Sequence, residues 1–300
     1  MSITNGLLAL LGKDICQDER GREARMHFFG SIPRADDVAV SHDADTVQLK
    51  PKVVALVSIN GGVGRSTLAT ALSSGLQRQG ESVVALDLDP QNALHLHFGV
   101  SPALPGIGRT SLEHGPWNPL QQLSFAGCQV IPFGEIDIPQ QESLERWLKQ
   151  EPRWLAQHLA ALDLSARQTV IIDTPAGNNI YFHQALSVAD VVLVIVQADA
   201  ACLGTLDHLD ALLAPHLESE HAPRVHVVIN QVDERNAFCL DMIEAFTQRL
   251  GKEALQVHRD MRIHEALASG DDPVESAEKG LAGDDINDLC QLLKAPNTRA

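Results

Sequence analysis

Eight consecutive residues, Asn60-Gly61-Gly62-Val63-Gly64-Arg65-Ser66-Thr67, hold the groups needed to bind a phosphate. Glycines let successive backbone N–H groups turn inward around an anion, and a following helix N-terminus adds partial positive charge. The Ser66 hydroxyl is placed to serve Mg2+, and Thr67 the α-phosphate side. Carboxylates recur in two further places, Asp87-Leu88-Asp89-Pro90-Gln91 and Asp173-Thr174-Pro175-Ala176-Gly177. Each follows an apolar run and precedes a proline turn, at a strand end that faces the glycine cluster. A fourth polar group, Asn230-Gln231-Val232-Asp233, also closes an apolar run. The glycine loop and the Ser66 hydroxyl point to binding of a phosphate group with Mg2+.

The elements that must position them follow from the apolar runs. Val53–Ile59 reads as a fully buried strand ending in the glycine cluster. Leu68, Leu72, Gly75 and Leu76 then fall at helical spacing, with Gly80 as the C-cap. Ser82–Leu88, Val130–Phe133, Thr169–Ile172, Val191–Val196 and Val225–Ile229 predict further buried strands. Helices are expected at Ser143–Leu164, Gly177–Ala189, Leu203–Leu217 and Asn236–Leu250. Strands alternating with helices predict an α/β fold, a doubly wound, mostly parallel sheet. In such a sheet all four polar groups lie at carboxyl ends of strands, where ligands bind. The Pro/Gly-rich stretch Ser101–Pro119 reads as a long functional or partner-facing loop.

On these motifs the chain resembles the MinD/ParA-type P-loop ATPases, whose deviant loop reads K-G-G-x-G-K-[ST]-[ST]. The resemblance covers Lys52 to about Ile286 and departs at both lysines. Asn60 stands where the family's signature lysine reaches across a dimer, and Arg65 where the phosphate lysine sits. By resemblance Asn60–Thr67 bind the nucleotide and Asp89 holds the attacking water. Ser66, Asp87 and Asp173 serve the metal, with Asp87 supporting either Mg2+ or the switch segment. Asn230 is set against adenine, although Asn230-Gln231-Val232-Asp233 is also similar to the guanine signature N-K-x-D with Gln for Lys. Val257-His258-Arg259-Asp260, His264-Glu265-Ala266, Gly270 and Pro273-Val274 resemble a later family segment near the base and the dimer border. Because two charge-neutralising groups are altered, hydrolysis of ATP is expected to be weak or absent. A valine at Gly64 is expected to fill the space the phosphate needs.

The missing lysines, the stretch Val130–Ile136 with Gln140-Gln141-Glu142, and the segment from His258 to Val274 resemble the cellulose-biosynthesis branch of that family. This resemblance implies an ATP-dependent homodimer acting with cytoplasmic subunits of a cellulose synthase complex. The membrane is then met only through those partners, at the inner membrane. Two other readings stay open: a non-hydrolysing scaffold of the same complex, and a ParA-like partitioning ATPase.

Composition bears on these readings. The 300 residues carry 23 Lys+Arg against 39 Asp+Glu, a net charge of −16. An acidic surface repels phosphate backbones, which argues against nucleic acid as a partner. Five widely spaced cysteines without a CxxC pair read as free thiols in a reducing cytoplasm. The run Leu7–Leu11 is too short and lacks the basic flank of a secretory signal. Residues 1–50 read as a tail and linker that can dock a partner, with a short helix near Thr4–Cys16, and 51–294 as the ATPase domain. His95 and His97 have no third metal ligand in register and read as surface histidines. Ile286, Leu289, Cys290 and Leu293 line one face of a helix with an acidic opposite face, which predicts packing onto the domain.

Overall fold

Val53–Val57 carries no polar side chain, so the segment can be buried only with its backbone groups paired on both sides. In the computed structural model, which describes residues 50–101, 104–219 and 221–295, it becomes the centre of an eight-stranded sheet. The described elements are β1 (Lys52–Val57), α1 (Arg65–Arg78), β2 (Ser82–Asp87), α2 (Leu94–His97), α3 (Ile107–Leu112), β3 (Gln122–Leu123) and β4 (Gln129–Ile131). They continue through α4 (Ile138–Leu148), α5 (Trp154–Ala161), β5 (Gln168–Asp173), α6 (Ile180–Val188), β6 (Val191–Gln197), α7 (Ala200–Gly204) and α8 (Leu206–Leu217). The chain closes with β7 (Arg224–Val232), α9 (Ala237–Leu250), β8 (Leu255–His258), α10 (Met261–Ser269), α11 (Pro273–Ala277) and α12 (Leu281–Lys294).

The strand order is β3-β4-β2-β5-β1-β6-β7-β8, and every pair is parallel except β3 with β4. The chain steps outward from β1 in both directions, so the sheet is doubly wound as expected. Its crevice opens at the carboxyl ends of β1, β2 and β5. Register puts Asp87 of β2 directly beside Asp173 of β5, so the two predicted carboxylate clusters meet at one level of the sheet.

Several expectations are corrected. Ser101–Pro119 is not simply an open loop: it contains α3, whose first amides donate to the carbonyls of Pro132 and Phe133 at 3.0 and 2.9 Å. Trp117 is buried, stacked on His158 with ring centroids 4.2 Å apart and edge-on to Trp154 at 5.2 Å. Few as they are, the aromatics are concentrated inside, and seven of the largest fully buried side chains are Trp, Tyr or Phe. The single helix expected over Ser143–Leu164 is two, α4 and α5, parted before Trp154 where Pro152 cannot continue the ladder. A capping box between Asp137 and Gln140 starts α4 earlier than its apolar residues suggest. β3 and β8 are not marked in the sequence, because two and four residues of mixed burial make too short an apolar run. His95 and His97 sit on α2 half-buried rather than on the open surface, and His97 Nδ1 lies 3.2 Å from Thr70 Oγ1 of α1. The predicted Thr4–Cys16 helix and the proposed docking tail lie outside the described residues.

α12 packs on α1 and β8 with Ile286, Leu289, Cys290 and Leu293 buried. Gly75 of α1 permits this: a Cβ there would lie 2.9 Å from Cys290 Sγ. Lys52 Nζ caps the carboxyl end of α12 through the carbonyls of Leu293 and Ala295. Among the described residues no helix is long and apolar enough to cross a membrane. The four described cysteines are buried and free, and burial pushes Cys128, Cys202 and Cys290 up to about 12, 11 and 12. Such thiols pack as small apolar groups instead of acting as nucleophiles.

His226 on β7 is expected to make the fold acid-sensitive. Burial, with the charges of Lys252 and Arg224, pushes its imidazole down to about 4. The unfolded chain therefore takes up this proton first, near the ordinary value of 6.5, and stability falls as pH drops from about 7 toward 4. With the group partly solvated, about 1 kcal/mol is lost by pH 5. His226→Gln is expected to narrow the gap between the melting temperatures at pH 7.5 and pH 5 by a few degrees. An unchanged gap would assign the acid sensitivity to other groups.

Candidate functional site

The phosphate loop follows β1 and leads directly into α1. Gly62 and Gly64 adopt left-handed backbone conformations, with φ of 75° and 83°, which glycine alone takes without cost. A Cβ built at Gly61 or Gly62 meets no atom within 4 Å, so the loop forms an open bowl. Gly64 is the N-cap of α1, and no side chain caps that end. The first-turn amides of a fourteen-residue helix are thus left to an anion.

Gly64 has a different constraint from the one its position suggests. Its Cβ would point away from the open bowl, 2.5 Å from Asn230 Nδ2 and 3.1 Å from Gln231 Nε2. Asn230 reaches under the loop from the end of β7 and donates from Nδ2 to the Val63 carbonyl at 2.9 Å. Gln231 takes a left-handed φ of 61° at the irregular step between β7 and β8. Asp233, the alternative guanine-reading residue, accepts from the Arg235 amide at 3.0 Å and serves as a turn residue.

Opposite the loop stand Asp87, Asp89 and Asp173, each buried. Asp87 accepts from the Asp89 amide (2.9 Å) through Oδ1 and from the Leu94 amide (3.0 Å) through Oδ2, so it shapes the turn that carries Asp89. Burial first, and the neighbouring Asp173 second, hold its carboxyl well above the usual range. Burial likewise pushes Asp173 up to about 6, against the opposing pull of the Arg65 guanidinium and the Ser66 hydroxyl. Asp89 is the most accessible of the three, its Oδ1 held by the Gln91 amide at 2.9 Å. Asp173 Oδ2 is buried with no hydrogen-bond partner. An unsatisfied buried carboxylate oxygen among oxygen donors, with the Ser66 hydroxyl alongside, suits a hard divalent cation.

Both lysine replacements are engaged by other side chains of this chain. Arg65 turns to the carboxylates and Ser58: Nε donates to Asp173 Oδ1 at 3.0 Å, Nη2 to Asp89 Oδ2 at 3.2 Å, and Nη1 to Ser58 Oγ at 2.5 Å. Asn60 Oδ1 accepts from Thr205 Oγ1 of its own chain at 2.9 Å. Gln197, at the end of β6, donates to the Gly62 carbonyl at 3.3 Å. Ser58 and Gln197 had a legible signal, each being a polar residue at the end of an apolar strand, whereas Thr205 had none.

The second loop after Asp173 is tied to the first. Thr174 Oγ1 donates to the Leu56 carbonyl at 2.8 Å, and the Gly177 amide to the Ser58 carbonyl at 2.8 Å. On the far side, Asn92 Oδ1 accepts from the Gly134 amide at 3.0 Å and anchors the Asp89 turn to the segment after β4. Beside the start of α1, a cleft runs between Thr67, Asn230, Gln231 and the segment His258–Asp260. His258 Nδ1 and Asp285 Oδ2, 2.7 Å apart, fix its outer wall to α12. Burial pulls this imidazole down, but Asp285 and Glu234 prevail and hold it above its ordinary value.

The chain is similar to several known proteins. The family model for the cellulose biosynthesis protein BcsQ matches residues 51–292. The BcsQ of Escherichia coli strain K12 is 30% identical over 237 residues, 78% of this chain and 90% of that protein. The chromosome partitioning protein ParA of Caulobacter vibrioides is 27% identical over 240 residues, 73% of this chain and 85% of its own. Among solved structures, the septum site-determining protein MinD of Pyrococcus horikoshii, complexed with Mg-ADP, superposes with a TM-score of 0.67 at 19% identity. That match covers 81% of this chain and 96% of the MinD chain, and it shows the shared fold.

Proposed function

The chain belongs to the BcsQ family of cellulose biosynthesis proteins, within the MinD/ParA-type ATPases, and from that premise we propose that it is an ATP-dependent dimeric switch. It regulates or localises a cellulose synthase complex, meets the membrane only through those partners, and turns ATP over slowly or not at all. The observation that carries this reading is one arrangement. An uncapped helix N-terminus behind an open glycine loop faces three buried carboxylates drawn together by the β2–β5 register.

In this reading Asn60–Thr67 hold the phosphates, and Asn230 supports the loop from below while bordering the base cleft. Ser66, Asp87 and Asp173 supply the metal environment, Asp87 through the turn it organises. When bound, Mg2+ supplies charge neutralisation for the phosphates. Asp89 is suited to hold a water at the mouth of the site, its Oδ1 fixed by the Gln91 amide. Slow turnover follows from the two replacements. Asn60 carries no charge and is engaged by Thr205, and Arg65 puts a bulkier planar fork where the family pattern has a compact ammonium. The net charge of −16 weighs against the partitioning reading.

The test is complementation of a strain lacking this gene, read as cellulose that binds calcofluor. Restoration by the wild-type gene and not by Gly64→Val is expected. Equal cellulose from both would overturn a nucleotide-dependent role.

A further inference from the structure

Arg65 stands where a phosphate-facing cation is expected, yet its guanidinium is 8% exposed and committed elsewhere. Three of its donors are used, on Asp173, Asp89 and Ser58. Among the described residues it is the cation ion-paired with these buried carboxylates. Asp173 Oδ1 is held, while Oδ2 keeps no partner. The same two carboxylates are those assigned above to the metal environment and the attacking water, so the inference rests on that reading.

A guanidinium on Asp173 opposes a divalent cation at the same carboxylate. The cation would sit within a few ångströms of the buried positive charge, where repulsion is poorly screened. A fork spanning two carboxylates also fixes both in one orientation, whereas Mg2+ demands its own octahedral arrangement. Lysine in this place would carry its three donors on one compact nitrogen, without the planar fork that Arg65 lays across Asp173, Asp89 and Ser58.

We propose that Arg65 is an internal counter-ion that competes with the divalent cation for Asp173 and holds Asp89 in the same fork. The metal enters only with a nucleotide whose phosphates draw the guanidinium out. Ser58 links the latch to the loop, since its hydroxyl accepts from Arg65 and donates to the Asn60 carbonyl at 3.0 Å. Metal, nucleotide and loop conformation are thereby coupled, and metal alone is excluded. Arg65 is here a positioning residue, acting through the carboxylates it holds.

The experiment is titration of Mn2+ alone into the full-length protein without nucleotide, followed by calorimetry and by the spin-resonance signal of free Mn2+. Arg65→Ala is expected to bind Mn2+ at least tenfold more tightly than wild type. Adding Asp173→Asn to that variant should abolish the gain. If Arg65→Ala binds no more tightly while Asp173→Asn in the wild-type background still weakens MgATP binding, the counter-ion is refuted and the metal site stands. If Asp173→Asn leaves MgATP affinity unchanged, the metal-site reading itself fails. Should Arg65→Ala not fold, the Arg65 Nε–H resonance of wild type decides. It should move on adding MgATP and stay in place with Mg2+ alone, and movement with Mg2+ alone would overturn the proposal.

Discussion

Gly64→Val is expected to lower affinity for MgATP by about 100-fold or more, equivalent to ~2.7 kcal/mol. Two costs add. The position holds φ at 83°, where a β-branched residue is a conformational outlier, worth about 1–2 kcal/mol. The new Cβ would also lie 2.5 Å from Asn230 Nδ2, forcing that side chain off the Val63 carbonyl. Relief of either strain moves the loop amides that must surround the phosphates, so binding is lost through loop geometry rather than by blocking the bowl. Calorimetric titration of MgATP, with circular dichroism to confirm folding, checks this. A folded variant with wild-type affinity would remove the loop from the site.

Gly106→Ala is expected to destabilise the fold by about 3 kcal/mol or more, enough to lower the melting temperature by several degrees. Here the backbone is ordinary and the obstacle is space: a Cβ would press on the Phe133 carbonyl and the Gly134 amide. Those neighbours are backbone and cannot rotate away. Their displacement breaks the hydrogen bonds that the Ile107 and Gly108 amides donate to the Pro132 and Phe133 carbonyls, and the one the Gly134 amide donates to Asn92 behind the Asp89 turn. Gly204→Ala is the control, since a Cβ there meets nothing within 4 Å inside helix α7. It is expected to be neutral or stabilising by about 0.5–1 kcal/mol. Equal melting temperatures for the two variants would contradict the packing argument at Gly106.

The parts of the fold legible in the sequence are those where burial is complete. Val53–Val57, Val191–Val196 and the central part of β5 are continuous apolar runs because both faces of a parallel sheet are covered, and they leave little freedom of interpretation. Elements built from mixed residues were hidden. α3 is held by carbonyls from a distant segment, β8 by pairing with β7, and the α4–α5 break by a single proline. The site was legible as a set of residue types, since glycines and carboxylates at strand ends have few other uses. Their actual contacts were not. No spacing rule reveals that Arg65 turns to Asp173 and Asp89, that Asn60 is engaged by Thr205, or that Gly64 faces Asn230. Those are tertiary choices made by side chains that have more than one charged or polar neighbour within reach.

The central claim is that bound nucleotide joins two copies of the chain. Light scattering on the purified protein tests it most directly, with MgATP, with MgADP, and with ATP plus a chelator. A mass rising from one chain to two with MgATP alone is the predicted result. A mass indifferent to nucleotide, at affinities where calorimetry shows the site filled, would contradict the switch.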